Sequence, residues 1–185
     1  MTASTEVTSL VGYRFGDGVD TASNGTDISR RLKLKEETSY GVLFAWGYDK
    51  KRQGELLISH YTSKPVKNLS PVTNNNLSVT YAHVGGNVPV FDGVTPLFIT
   101  GGLGFTHFSP ENALLNKETH FSLNIGLASK ITLSNSISIR VGSRIYATLL
   151  NSDSQIFCHV DNCAISISSD LWVQSEINAG ITVSF

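Results

Sequence analysis

Strict alternation of large apolar residues with small or polar ones is the feature that most constrains this chain. In the stretch SYGVLFAWGY, the large residues are Tyr40, Val42, Phe44, Trp46 and Tyr48. The residues between them are Ser39, Gly41, Leu43, Ala45 and Gly47. Successive side chains of a strand point to opposite faces, so this stretch is predicted to be a β-strand with one aromatic face and one face of small side chains.

Eight segments of the chain alternate in this way. They are residues 6–15, 35–48, 53–63, 76–86, 96–108, 118–133, 136–150 and 171–185. Each is long enough to cross a bilayer as a tilted strand, which needs about 9 to 11 residues.

The connections between these segments alternate in length. Long polar connections follow the odd-numbered segments, at 17–31, 64–75, 109–117 and 151–170. Shorter ones follow the even-numbered segments, at 49–52, 87–95 and 134–136. All long loops therefore fall at one end of an antiparallel meander, and both termini fall at the other. Since no repeat or linker divides the chain, we expect residues 1–185 to form a single domain.

Composition narrows the class of protein. Charged residues make up 16% of the 185 residues, against roughly a quarter in soluble domains. No apolar run is long enough for a membrane-spanning helix, and the formal net charge of -1 gives no electrostatic footprint for nucleic acid. The mean hydropathy of +0.01 is compatible with a transmembrane β-barrel, in which only alternate residues face lipid.

The face opposite the aromatic one decides between a membrane barrel and a soluble, ligand-binding one. It carries a few charges of both signs among Gly, Ser, Ala and Asn: Arg14, Lys35, Glu37, Glu55, Lys130, Arg140, Arg144 and Glu176. A water-facing surface would hold many more charges, whereas the interior of eight strands is just wide enough to be filled by side chains. We therefore predict a lumen charge network inside an all-β, transmembrane, eight-stranded antiparallel up-and-down barrel.

The aromatic face suits lipid, because an Arg or Lys at the midplane costs roughly 2 to 4 kcal/mol. Aromatic residues that fall towards segment ends are expected to form interfacial belts: Tyr13, Phe15, Tyr40, Trp46, Tyr48, Phe105 and Phe121. Lipid cannot satisfy an open sheet edge, so the first and eighth segments must pair. Glu176 would then be a counter-ion for Arg14 or Arg140.

The last ten residues, EINAGITVSF, resemble the C-terminal assembly signal of bacterial outer-membrane barrels. The matching positions are Asn178, Gly180, Val183 and Phe185. Over the whole chain, strand number and loop asymmetry resemble the eight-stranded outer membrane protein A and X type. This likeness implies outer-membrane lipid as the surroundings, recognition by the barrel-assembly machinery, and periplasmic termini. Because MTASTEVTSL lacks a basic and apolar signal segment, we expect a mature form with an added Met.

Three shorter stretches are similar to a group of proteobacterial barrels without an assigned activity. These are VGYRFG, RQGELLISH and SDSQIFC, the last followed by a second cysteine before the final segment. The resemblance implies no catalytic function.

The two cysteines, Cys158 and Cys163, lie in the longest loop. They are close enough in sequence to form a small disulfide loop in an oxidising compartment. Free thiols are an alternative, and a zinc site would need two more ligands than His159 supplies.

The sequence offers few candidates for catalysis or ion binding. The seventh segment is similar to the stretch that carries the His and Ser of lipid A deacylases, but it has no His. The five histidines are His60, His83, His107, His120 and His159. The acidic first loop, with Asp17, Asp20, Asn24 and Asp27, matches no calcium-loop spacing and is expected to be solvated. We therefore predict no catalytic residue, no metal and no cofactor.

The resulting functional hypothesis is a non-enzymatic surface barrel with a structural or interaction role through its external loops, which could contact an extracellular or envelope protein. A small-solute or ion channel is the alternative, since charged rings can line a pore. A lipid-modifying outer-membrane enzyme is the second alternative.

Overall fold

A computed structural model describes most of the chain. The described residues are 5–16, 19–22, 30–32, 36–49, 52–63, 76–91, 93, 95–111, 116–150, 158–159, 162–163, 166–167 and 171–185. For residues 19–22, 30–32, 158–159, 162–163 and 166–167 only the backbone is described.

Eight long strands form a closed barrel. They are β1 (Thr5–Gly16), β2 (Glu37–Gly47), β3 (Gln53–Ser63), β4 (Leu77–Phe91), β5 (Leu97–Pro110), β6 (Glu118–Thr132), β7 (Ile137–Leu149) and β8 (Leu171–Ser184). Each strand pairs antiparallel with its neighbour in sequence, and β1 also pairs with β8. The predicted eight-stranded up-and-down barrel is confirmed, and its closure leaves no strand edge unpaired.

The connections divide the barrel into two ends. The long ones lie between β1 and β2, β3 and β4, β5 and β6, and β7 and β8, and we call this the long-loop end. The three shorter ones lie at the short-turn end, where β1 begins and β8 ends. There the backbone N–H of Phe185 donates to the carbonyl of Thr5 at 2.9 Å. The predicted loop asymmetry is confirmed.

One predicted turn is wrong. The turn predicted over residues 87–95 begins later, because β4 continues through Phe91. Asn87 points inward and Val88 and Val90 outward, so the alternation of β4 carries on past the two glycines before Asn87. Pro89, which suggested a turn, lies at a register irregularity between Pro89 and Phe91, a position where the missing N–H is tolerated.

Short strands also form within two of the long loops. Ser166–Ile167, Val19–Ala22 and Arg30–Leu32 make a three-stranded sheet in that order, and Cys158–His159 pairs with Asn162–Cys163. The first loop is therefore not simply solvated coil, as its composition had suggested. Asp20 lies on one of these strands, whereas Asp17, Asn24 and Asp27 lie outside the described residues.

The two faces of the barrel differ as the alternation predicts. Tyr40 on the outer face is 63% exposed, whereas Leu43 on the same strand is 1% exposed and points inward. The buried apolar cluster lies entirely inside the barrel and includes Leu57, Tyr81 and Phe108. In the described part of the chain, no helix is long and apolar enough to cross a membrane.

Candidate functional site: the lumen

The charged residues of the barrel wall all share one face. The eight strands contain nine Asp, Glu, Lys or Arg residues, and each occupies an inward register position. They are Glu6, Arg14, Glu37, Glu55, Glu118, Lys130, Arg140, Arg144 and Glu176. The outward positions of these strands carry no such residue. The barrel is therefore apolar outside and charged inside.

Arg14 lies in the middle of the lumen and is 1% exposed. Its guanidinium carbon lies 4.7 Å from the ring centre of Tyr61, 4.6 Å from Tyr81 and 4.4 Å from Tyr146. Cations are attracted to the faces of aromatic rings at such distances, so the three tyrosines form a cage around the charge. The Nη1 atom has no hydrogen-bond partner among the described residues.

Glu176 neutralises the caged arginine. It forms an ion pair with Arg14 and accepts hydrogen bonds from Ser39 Oγ at 3.0 Å and Asn178 Nδ2 at 2.8 Å. Ser59 Oγ and the Tyr146 hydroxyl, each at 3.4 Å, complete the shell. Because the carboxylate is 3% exposed, these donors replace the water that it would otherwise bind.

Two hydroxyl groups of the cage converge on one amide. Tyr61 Oη and Tyr81 Oη each donate to Gln174 Oε1 at 2.8 Å. Since Gln174 lies on β8 and the two tyrosines lie on β3 and β4, this pair of bonds joins opposite walls across the lumen. The rings therefore have fixed positions around Arg14.

A second charge cluster lies nearer the short-turn end. Glu55 accepts from Arg140 Nη2 and Arg144 Nη2, each at 2.9 Å, and from Asn87 Nδ2 at 2.8 Å. Arg144 Nη1 also donates to Asn124 Oδ1 at 2.8 Å. One carboxylate thus holds two guanidinium groups of β7, and the cluster spans the lumen from β3 to β7.

A third pair lies at the short-turn end of the lumen. Lys130 Nζ lies 2.5 Å from Glu6 Oε2, with side-chain exposures of 13% and 10%. Next to it Thr8 and Thr182, direct register partners, are hydrogen bonded at 2.8 Å. The threonine contact lies on the seam where β1 and β8 close the barrel, and the Lys130–Glu6 pair reaches from β6 to β1.

Apolar side chains fill the lumen towards the long-loop end. The rings of Phe108 and Trp172 pack 4.9 Å apart, and Leu77, Val79 and Leu150 belong to the same buried cluster. Together with the three charge clusters, this layer places packed side chains at successive levels along the lumen.

The predicted lumen residues fall into three groups. Arg14, Glu55, Arg140, Arg144 and Glu176 are all buried in the lumen. Lys130 is partly buried, and Glu37 is also partly buried on the inward face. Lys35 lies outside the described residues. Of the two partners expected for Glu176, the structure selects Arg14, while Arg140 pairs with Glu55.

The lumen also contains residues that the sequence analysis did not assign to the network. Glu6 is the partner of Lys130, and Gln174 and the three cage tyrosines are equally buried. Strand alternation would have placed these residues inside. Tyr61 lies an even number of positions from Glu55, and Tyr146 an even number from Arg144, so each faces the same side as its charged neighbour. Tyrosine was associated with the lipid face because most aromatic residues of the strands lie there.

Most of the predicted belt aromatics face outward. Tyr13, Tyr40, Trp46, Tyr48, Phe105 and Phe121 have exposures between 36% and 74%. Phe15 is intermediate in exposure, at an outward register position. In the C-terminal segment, Asn178 faces the lumen, while Val183 and Phe185 are exposed at 38% and 78%. Gly180 pairs with Leu10 of β1.

The histidines do not assemble a hydrolytic triad within the described residues. His60 and His107 face outward and bond Thr80 and Thr119, each at 2.9 Å. His83 Nε2 lies 2.8 Å from Ser122 Oγ, but this pair is buried in the lumen and no described group hydrogen bonds to His83 Nδ1.

The remaining predicted sites involve the mouth and the loops. His120 pairs with Glu118 at 2.8 Å near the long-loop end. The side chain of His159 is outside the described part. Among the described residues, no group of three or more His, Cys, Asp or Glu side chains is placed to hold a metal ion. Cys158 and Cys163 are direct register partners in their short ladder, although their side chains lie outside the described part, so the disulfide stays a prediction.

The fold and the lumen together define a class: closed eight-stranded antiparallel barrels with an apolar outer wall and a charged, packed interior. Within that class, the chain is similar in fold to several solved bacterial barrels.

Neisserial surface protein A matches with a TM-score of 0.64 and 11% identity over 98% of this chain and 97% of that one. The outer membrane protein OprG of Pseudomonas aeruginosa matches with a TM-score of 0.63 and 9% identity over 100% and 96%. The N-terminal β-barrel domain of Pseudomonas aeruginosa OprF gives 0.56 and 10% over 100% of both chains. At these identities the likeness establishes the fold alone. No protein-family model and no curated protein matches the sequence.

Proposed function

We propose that this chain is an integral outer-membrane β-barrel without enzymatic activity, whose filled lumen makes it a rigid support for its external loops. One observation carries the proposal: all Asp, Glu, Lys and Arg residues of the eight strands face inward, and the outward positions are occupied by apolar, aromatic and small side chains and by His60 and His107. A soluble barrel would need the reverse arrangement, because large contiguous apolar patches are rare on soluble monomers.

Both faces of the barrel suit a membrane energetically. On the outside, hydrocarbon accepts side chains such as Ile177 and Ile181, each 60% exposed, at no cost. On the inside, the closed sheet satisfies its own backbone, and the buried charges satisfy one another. The solved bacterial outer-membrane barrels that share the fold support this setting. In an outer membrane, the two termini would lie in the periplasm and the outer wall would contact outer-membrane lipids. The barrel-assembly machinery would insert the chain. Closer affiliation with the outer membrane protein A and X type is part of the same proposal.

The packed lumen favours a structural or interaction role over a channel. Arg14 and its three tyrosines occupy the centre of the barrel, and Phe108 and Trp172 fill it nearer the long-loop end. A conducting path would require several of these contacts to break together. Partners would then be bound by the loops, with an extracellular or envelope protein as the expected class.

Planar-bilayer recording separates this role from the channel alternative. The refolded barrel should raise no discrete conductance steps above those of a protein-free bilayer, with a conducting porin as positive control. Reproducible unitary steps from this chain would show a conducting lumen and would overturn the closed-barrel role.

Overexpression in a Gram-negative host tests the enzymatic alternative. The mass spectrum of lipid A should be the same with and without the barrel. A new lipid A species that depends on His60 or His107, the outward histidines, would establish a lipid-modifying activity instead.

The interaction role is tested by pull-down from intact cells. The wild-type barrel is compared with a variant whose fourth long loop, residues 151–170, is shortened. A partner captured by the wild type and lost with the variant is the expected result. An identical set of partners for both chains would contradict recognition by this loop.

A further inference from the structure

Polar side chains cover the outer face of four neighbouring strands next to the long-loop end. They lie on β3, β4, β5 and β6, and we call these six the polar sector: His60, Thr62, Ser78, Thr80, His107 and Thr119. Each occupies an outward position. The outward positions directly below them on the same strands are apolar, as at Ile58 and Phe105, which are 49% and 57% exposed. On these strands the apolar wall therefore ends where the polar sector begins.

The members of the polar sector are hydrogen bonded in pairs across neighbouring strands. The pairs, at 2.9, 2.9 and 3.0 Å in turn, are His60 Nδ1 with Thr80 Oγ1, His107 Nδ1 with Thr119 Oγ1, and Thr62 Oγ1 with Ser78 Oγ. An imidazole has a second ring nitrogen, and a hydroxyl group has one donor hydrogen and two acceptor lone pairs. The pairs therefore leave the polar sector with capacity to bond polar groups outside the barrel.

The stagger of the strands shows which residues elsewhere lie at the same height. Register partners followed once around the barrel lead from Glu6 of β1 to Gly16 of the same strand, a stagger of ten residues. A register row thus rises towards the long-loop end by about 1.25 residues per strand. With this stagger, Thr62 on β3 and Val173 on β8 lie at the same height along the barrel axis, to within about one residue.

At this height the other side of the barrel is apolar. Val173 and Leu171 on β8 and Leu149 on β7 are outward residues with exposures between 38% and 48%. By the same stagger, Leu149 lies at the height of Ser78 to within about one residue. Ser175, one outward position below Val173, is the polar exception on β8. The apolar wall therefore reaches further towards the long-loop end on β7 and β8 than on β3 to β6.

A level membrane surface does not suit both sides. Polar positions begin at His60 and apolar positions end at Leu171, and these heights overlap by about four residues, or about 10 Å for strands tilted by about 45°. One headgroup layer is only about 5 to 8 Å thick. A surface above Leu171 would place His60 in hydrocarbon, and a surface below His60 would expose the apolar side chains of β8 to water.

We propose that the polar sector binds lipid headgroups that carry phosphate and hydroxyl groups, and that it holds them lower on the barrel than the hydrocarbon boundary beside β7 and β8. Phosphate oxygens accept hydrogen bonds from imidazole N–H and hydroxyl groups, and headgroup hydroxyls donate to the threonine and serine oxygens. The membrane surface is thus inclined across the barrel. This inference rests on the proposed function, which places the long-loop end in the outer leaflet.

The test uses the whole barrel in nanodiscs of phosphatidylcholine and phosphatidylglycerol, with methyl-labelled Thr, Val and Leu. NMR measures how strongly a nitroxide on the lipid headgroup, or one on the acyl chain, relaxes each methyl group. The ratio of headgroup to chain effect should be higher for Thr62 than for Val173 and Leu149, although the three residues lie at similar heights. Equal ratios would show a level interface and overturn the proposal.

An apolar variant tests whether hydrogen bonding sets this boundary. It combines His60→Leu, Thr62→Val, Ser78→Ala, Thr80→Val, His107→Leu and Thr119→Val. The methyl groups at positions 62 and 80 should then give the lower ratio that Val173 gives in the wild type. The matched control, Val173→Thr, adds a single hydroxyl group at the same height without paired neighbours, and position 173 should keep its chain contact. Heat-modifiable gel migration shows whether each variant is folded.

Other outcomes count against the proposal. A folded apolar variant that keeps the headgroup pattern would show that the tilt of the barrel, and not hydrogen bonding, sets the boundary. A Thr62 methyl group that neither probe relaxes would show that a protein covers the polar sector. A barrel that fails to insert would overturn the proposed function as well, whereas equal ratios or either of these results in an inserted barrel would overturn this inference alone.

Discussion

Arg14 and Glu176 are direct register partners across the seam between β1 and β8, and their side chains form an ion pair inside the lumen. The first and last strands of the barrel are thus joined by their backbone ladder and by a buried charge contact at the same level. The contact is also the centre of the tyrosine cage, so closure of the sheet and packing of the lumen depend on the same two residues.

Replacing Glu176 tests this relationship. Glu176→Gln leaves the buried guanidinium of Arg14 without its counter-ion, and removing one member of a buried pair costs about 3 to 5 kcal/mol. We expect the free energy of unfolding in urea, measured in lipid vesicles by tryptophan fluorescence, to fall by about that amount. Ile177→Val, at the neighbouring outward position, should change it by less than about 1.5 kcal/mol.

A double-mutant cycle that combines Glu176→Gln with Arg14→Met measures the coupling energy of the pair. The double variant should recover part of the stability lost in Glu176→Gln, because no uncompensated charge remains. Additive losses, or a Glu176→Gln barrel as stable as wild type, would show that the pair does not hold the seam.

The three charge clusters should differ in importance according to burial. Glu55→Gln leaves both Arg140 and Arg144 without a carboxylate at exposures of 5% or less, whereas Glu6→Gln affects a partly exposed pair. We therefore expect Glu55→Gln to lower the free energy of unfolding by at least about 3 kcal/mol. Glu6→Gln should lower it by less, since only one cation, Lys130, loses its partner and this pair is more exposed than the Glu55 cluster. The reverse order in the same urea titration would contradict the description of Glu55 as the centre of its cluster.

A charge on the outer wall should be costly at mid-strand and tolerated near the long-loop end. Ile177 lies at the middle of β8 and Thr62 near the end of β3, both on the outer face. Ile177→Arg should cost roughly 2 to 4 kcal/mol of folding free energy in a bilayer, and Thr62→Arg about 1 kcal/mol or less. Urea unfolding in vesicles measures both, and equal costs would indicate that the outer face does not contact hydrocarbon.

The predicted disulfide is open to direct measurement. Cys158 and Cys163 are paired in register, and facing residues of an antiparallel ladder have Cα separations that a disulfide can span. Barrel isolated from an oxidising compartment should gain no mass with iodoacetamide unless it is first reduced, and should then gain two carbamidomethyl groups. Alkylation without reduction would show free thiols.

Period-two alternation was enough to predict the barrel. It placed all eight strands, because each strand has one lipid-suited face and one lumen face throughout its length. It failed at residues 87–91, where Pro and Asn suggested a turn but the apolar outward positions Val88 and Val90 continued the strand. Local turn chemistry was there outweighed by the pairing of β4 with β5.

Pairing inside the lumen was only partly predictable from sequence, which gave Glu176 two candidate partners, Arg14 and Arg140. Strand alternation shows which charged residues face inward: Arg14, Glu55, Arg140 and Glu176. The choice of partner depends on the register across the seam and on the lengths of the side chains that cross the lumen. The tyrosine cage depends on the same register, because its members come from three different strands.

The two tryptophans of this chain offer the most direct test of whether the outer face of the barrel contacts lipid and the lumen is shielded from it. Trp46 lies on the outer face at 36% exposure, and Trp172 lies in the lumen at 3%. Single-tryptophan variants, Trp46→Phe and Trp172→Phe, are folded into vesicles of brominated phosphatidylcholine, and fluorescence is compared with that in unbrominated lipid. Quenching of Trp46 with little quenching of Trp172 is the result that the membrane-barrel account predicts. Equal quenching of both, or a Trp46 signal insensitive to bromine, would contradict it.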